Sequence, residues 1–135
     1  MVMITATYDG SLRCTATHAP SGNILITDAP VDNHGRGEAF SPTDLVATAL
    51  GTCILTTMAI AAARLGTSID GATIAVEKIM AAAPTRRIGA LNVAITMPAG
   101  IAPEHHAALI RAAERCPVTQ SLHPDITVGM VWVWG

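Results

Sequence analysis

Residues 41–66 read SPTDLVATALGTCILTTMAIAAARLG, and this stretch decides the architecture. Ser41 is a helix cap, Pro42 suits the first helical position, and Asp44 complements the exposed amides and positive end of the helix. No charged residue falls between Asp44 and Arg64, and Gly66 is the C-terminal stop. The segment therefore predicts one helix ending near Leu65, apolar nearly all round and so expected to be buried on all sides. It is also long enough on paper to cross a bilayer, which takes about 20 residues. Thr48, Gly51, Thr52, Thr56 and Thr57 interrupt it, and no second span or basic flank accompanies it, so a buried central helix is the expectation and a membrane role is not.

Around this helix the chain reads as strands. Residues 2–8 are rich in strand formers, and Asp9-Gly10 is a two-residue turn signal. Leu12, Cys14 and Ala16 then share one face of a second strand, a Pro20-Ser21-Gly22 turn follows, and residues 23–28 form a third. Residues 29–40 have no periodicity and read as a loop. Beyond the helix, residues 72–81 and 87–97 predict two strands, with Leu91, Val93, Ile95 and Met97 alternating in the second. Pro103–Arg115 predicts an amphipathic helix with Leu109, Ala112, Ala113 and Cys116 on one face. Pro117 restarts a short helix, and residues 125–134 form a last strand with Ile126, Val128, Met130, Trp132 and Trp134 on one face.

With 135 residues the chain has room for a single domain, residues 1–135. Half the residues are hydrophobic and only 3% aromatic, which leaves an apolar surface for so small a protein and points to permanent association between copies. A net charge of −2 and Lys78 as the sole lysine provide no phosphate-tracking surface, so nucleic acid is not an expected partner. No signal peptide is visible, and three widely spaced cysteines argue for a reducing, cytoplasmic setting. His105 and His106 are adjacent, so they point about 100° apart. No Cys-x-x-Cys or His-x-x-x-His spacing suggests a metal.

The thiols differ in setting. Cys14 reads as a small core residue on a strand face. Cys116 precedes Pro117, where it caps the short helix and sees the dipole end that favours a thiolate, with Arg115 beside it. Cys53 lies in the apolar helix, where desolvation disfavours its thiolate unless another segment or another copy supplies a cation. Asp44, about 13 Å along the axis and on nearly the opposite side, cannot reach it.

The Ser-Pro-x-acid-Leu opening and small-residue run into Cys53, the preceding loop HGRGEAF (residues 34–40) and the later RCPV of residues 115–118 together resemble the OsmC/Ohr family of osmotically inducible and organic-hydroperoxide-resistance proteins. The resemblance covers essentially the whole chain. It implies an α+β fold: an OsmC-like intertwined homodimer with two long central helices packed between curved antiparallel sheets. It maps the peroxidatic cysteine onto Cys53 and the resolving cysteine onto Cys116. The implied activity is a thiol-dependent peroxidase that reduces organic hydroperoxides, forms a Cys53–Cys116 disulfide and is reset by a dithiol reductant, with no cofactor. In the best-studied branch an arginine of the first hairpin loop activates the thiolate and a glutamate holds it. Here that loop reads THAPSGN (residues 17–23) and the glutamate position is Thr43, with Asp44 following, as in the OsmC-like branch. Arg36 is the leading substitute cation, Arg13 the next, and Asp44 the candidate orienter; Glu38 carries no assigned role. The missing arginine also motivates a different reading, a non-enzymatic protein of this fold that binds an apolar ligand at the dimer cleft, and a weaker third, a structural dimerisation module.

Overall fold

The computed structural model describes residues 1–135, which form two compact units, Met1–Val46 and Ala47–Gly135. The first unit is a meander of β1 (Ile4–Gly10), β2 (Arg13–His18) and β3 (Ile24–Asp28), paired antiparallel in that order. Tyr8 stands opposite Cys14, and Cys14 opposite Thr27. The Asp9-Gly10 signal lies two residues away from the actual turn. A bulge between Tyr8 and Gly10 carries β1 onward, and Ser11 and Leu12 make the turn at φ 54° and 63°. Both central residues of such a tight hairpin need positive φ because that twist matches the strands. Leu12 consequently sits in the turn and is 44% exposed, outside the strand face expected for it.

The loop between β3 and the first helix folds back on the end of β3. Gly35 approaches Ala29 so closely that an added Cβ would lie 1.7 Å from its carbonyl oxygen, which only glycine permits. Inside this loop Asp28 is 1% exposed. Its Oδ2 accepts from the Glu38 backbone amide at 3.1 Å and from the Arg13 guanidinium at 3.5 Å, while Oδ1 is buried without a partner. Arg13 also reaches Glu38 Oε2 at 2.6 Å.

The Glu38 amide lowers the Asp28 pKa below its ordinary 3.8, against the opposing effect of burial and with further help from Arg13. A carboxyl whose folded pKa is depressed contributes stability that is fully present above the unfolded value and lost as pH falls through the folded one. Denaturant titrations from about pH 6 to about pH 2 will show stability declining below the ordinary carboxylate range, and Asp28→Asn will shrink that acid-side decline. An unchanged pH profile in the variant would contradict the assignment.

Helix α1 (Pro42–Arg64) opens with the cap read from the sequence. The Asp44 amide donates to Ser41 Oγ at 3.1 Å and the Ser41 amide donates to Asp44 Oδ2 at 2.9 Å, a reciprocal capping box. At its far end Gly66 takes φ 72° and the Thr67 amide bonds the Ala62 carbonyl.

From Ala47 onward the helix belongs to the second unit, with β4 (Thr73–Ala81), β5 (Arg87–Thr96), α2 (Pro103–Glu114), α3 (Pro117–Ser121) and β6 (Thr127–Val133). Strands β4 and β5 pair antiparallel, with Val76 opposite Val93. Strands β5 and β6 pair parallel, with Val93 opposite Met130, so the second sheet is mixed where only antiparallel pairing was expected. A parallel neighbour requires a long crossover, and α2 and α3 supply it. Leu91, Val93 and Ile95 point into the core, as their alternation foretold, alongside Leu50, Ile54, Met58 and Leu109. Gly51 lets α1 approach the sheet: a Cβ there would stand 3.1 Å from Val76 Cγ2. At the end of the sheet Trp134 stacks on Trp132 and on His106, the latter at 3.6 Å between ring centres, which gives that histidine a packing role.

One expectation fails. Helix α1 is not buried on all sides: Ala49, Thr52, Thr56, Ala59, Ile60 and Ala63 are exposed. Uniformly apolar composition could not say which face meets the chain's own sheet; the large side chains Leu50, Ile54 and Met58 take that face, and small ones together with Ile60 fill the other.

Candidate functional site

Cys53 is more exposed than its apolar helix suggests, whereas Cys116 is buried with the apolar face it was read to share with Leu109 and Ala113. Cys53, in the middle of α1, is half-buried, because it flanks the uncovered face of the helix. Its Sγ lies 3.9 Å from the hydroxyl of Thr57, one turn onward. Cys116 is fully buried. It is the N-cap of α3: its sulfur accepts from the Thr119 amide at 3.4 Å and lies 3.0 Å from Thr119 Oγ1. Pro117 fixes the first helical position behind it. Cys14 is half-buried on β2, and all three thiols are free.

Both cysteines belong to the unit Ala47–Gly135, in which a groove of about 310 Å³ lies between α1 and α2. Helix α1 contributes Thr57, Ile60, Ala61 and Arg64. Across from it stand Ala108, Arg111, Ala112 and Arg115, which have the same spacing. Thr57 connects this groove to the Cys53 sulfur, and Cys116 follows directly on Arg115. Two helices presenting residues at i, i+3, i+4 and i+7 each turn one continuous stripe to the groove.

The other sequence candidates lie in Met1–Val46. Arg36 is exposed in the loop after β3, and Asp44 spends its carboxylate on the capping box. Arg13 is committed to Glu38 and Asp28. Neither Glu38 nor Asp28 is marked in the sequence, because nothing local distinguishes a strand-end aspartate that folding will bury. Thr57 and the three arginines were recoverable, since their matching helical spacing is visible once both helices are drawn.

The chain is thus an α+β protein whose long apolar helix carries an accessible thiol and whose second, buried thiol caps a short helix. Residues 35–131 match the family model for OsmC-like protein, and the chain belongs to that family. It is similar to a structure from Psychrobacter arcticus 273-4, provisionally named an osmotic stress induced and detoxification response protein, at 45% identity over 98% of this chain and 96% of that one, with a TM-score of 0.91. The organic hydroperoxide resistance protein OsmC of Legionella pneumophila shares the fold at 17% identity, covering 98% of this chain and 96% of that one, with a TM-score of 0.80. OhrB of Bacillus subtilis, an organic hydroperoxide resistance protein, does so at 16% identity over 98% and 97%, with a TM-score of 0.71. No curated protein matches the chain.

Proposed function

We propose that this protein serves stress defence as a thiol-dependent peroxidase for organic hydroperoxides. The Cys53 thiolate attacks the distal oxygen of ROOH, the O–O bond breaks, and the departing alkoxide takes a proton to leave as ROH. Cys53 is then a sulfenic acid. The Cys116 sulfur attacks that sulfur, water departs, and a Cys53–Cys116 disulfide remains; an external dithiol reduces it by thiol–disulfide exchange. The balance is ROOH plus a dithiol giving ROH, water and a disulfide.

The observation that supports this reading most is the division between the thiols within one unit. The accessible one can meet a substrate, and the buried one is held in place by Thr119. Family membership and the names of the fold's neighbours point the same way. On the strength of the resemblance we assign Arg36 to support the thiolate, with Asp44 as its orienter. The uncovered face of α1, together with exposed Ile4, Tyr8, Ile24 and Ile26 on the meander, supports a homodimer. A dithiol-dependent cycle with free thiols suits the cytoplasm.

The test is direct. One equivalent of cumene hydroperoxide added to reduced protein should lower the chain mass by two hydrogens and yield a Cys53–Cys116 cross-linked peptide on digestion. An unchanged mass, or a bridge that includes Cys14, overturns the mechanism.

A further inference from the structure

A single residue holds the Cys116 sulfur. Cys116 is 0% exposed, and both groups that engage its sulfur belong to Thr119, the backbone amide at 3.4 Å and the side-chain hydroxyl at 3.0 Å. Capping a helix requires only the amide contact. The hydroxyl contact is additional, and α3 does not depend on it. The Gln120 amide donates to the Cys116 carbonyl at 3.1 Å, and the Ser121 hydroxyl donates to the Pro117 carbonyl at 2.8 Å. Those bonds persist whichever way the Cys116 side chain turns. Cys53 is held more loosely, its sulfur 3.9 Å from the Thr57 hydroxyl.

We infer that Thr119 is a positioning residue that retains the reduced Cys116 sulfur, and that release from it sets how long Cys53 stays a sulfenic acid. Retention stands on geometry alone; the lifetime rests on the peroxidase reading. A disulfide sulfur carries neither a proton nor a charge and accepts hydrogen bonds weakly, so Thr119 favours the reduced form over the bridged one. Rotation about the Cα–Cβ bond of Cys116 takes the sulfur out of both contacts and leaves the backbone of α3 in place. Solvent reaches only the turned sulfur, because the held one is fully enclosed. Labelling from solution therefore proceeds at the turned fraction multiplied by the reactivity of a turned sulfur, and Thr119 acts on the first factor. Attack on Cys53 draws on the same released sulfur. The waiting time is the interval in which a second peroxide or another thiol can reach the oxidised Cys53.

Two variants separate the hydroxyl from the rest of the side chain: Thr119→Val replaces it with a methyl group, and Thr119→Ser keeps it. Reduced protein is treated with dilute iodoacetamide, and labelling of Cys116 is followed by peptide mass. Thr119→Val should label about fivefold faster, the effect of losing one hydrogen bond, and Thr119→Ser at the parental rate. Ser121→Ala removes a hydroxyl from the same helix without touching the sulfur and should change nothing. One equivalent of cumene hydroperoxide added with dimedone then reads the lifetime. Trapped Cys53 sulfenic acid should fall about fivefold in Thr119→Val and hold at the parental yield in Thr119→Ser. Parental labelling in Thr119→Val shows that the hydroxyl retains nothing and overturns the assignment. Equal acceleration in Ser121→Ala does the same, since the effect would then belong to the helix as a whole. Faster labelling with an unchanged dimedone yield overturns the lifetime claim. A parent protein that forms no disulfide overturns that claim together with the peroxidase reading, and the labelling result stands apart from both.

Discussion

Hydroperoxide consumption coupled to a dithiol falls by on the order of 10³-fold or more in Cys53→Ser, to the level of the reductant alone. A serine hydroxyl is close in size to the thiol but cannot supply the anionic sulfur that attacks the O–O bond. The side chain is half-buried and its one polar neighbour is the Thr57 hydroxyl, so the exchange leaves the fold intact and the assay reads chemistry. Cys116→Ser should behave differently: a single equivalent of peroxide is consumed, the protein stops at the Cys53 sulfenic acid, and a dimedone adduct reports it. Cys14→Ser should retain turnover. Undiminished steady-state consumption by Cys53→Ser would remove the peroxidase mechanism and leave the family assignment standing.

Leu50→Ala should destabilise the chain by about 2–5 kcal/mol, the range for emptying a fully buried leucine site, and lower the melting temperature by about 6–20 °C. Leu50 is wholly inaccessible, on the face of α1 that also carries Gly51 against Val76, and a rigid helix–sheet contact closes poorly around a lost side chain. Ile60→Ala provides the contrast. At 53% exposure it should cost no more than about 0.5 kcal/mol if the chain acts alone. A larger, concentration-dependent loss, with monomer appearing in sedimentation, is the result expected if a second copy covers this face. Equal small losses at both positions would contradict the core assignment of α1.

Much of the fold was readable because its signals are local. Ser41, Pro42 and Asp44 name a helix start by chemistry that acts within three residues, and the capping box forms as read. The alternation from Leu91 to Met97 names a half-buried strand, and each of those four is buried. Misreadings arose where an outcome depended on competition. Asp9-Gly10 has the better turn residues, yet a bulge moves the turn onto Ser11-Leu12, because the register of β1 against β2 outweighs local preference. Helix α1 gave no pattern by which to choose a buried face, since nearly every position is apolar or small. The parallel pairing of β6 with β5 is likewise invisible in either strand alone.

The sequence by itself therefore determined the elements, the family motifs and the two cysteine positions, all of which rest on neighbours a few residues apart. Tertiary structure alone decided which thiol is accessible, which arginine is tied to Asp28 and Glu38, and that three others share one groove. Burial and charge proximity are properties of surfaces that distant segments close over one another. A linear pattern can state what each segment offers, but the packing of those segments selects which offers meet.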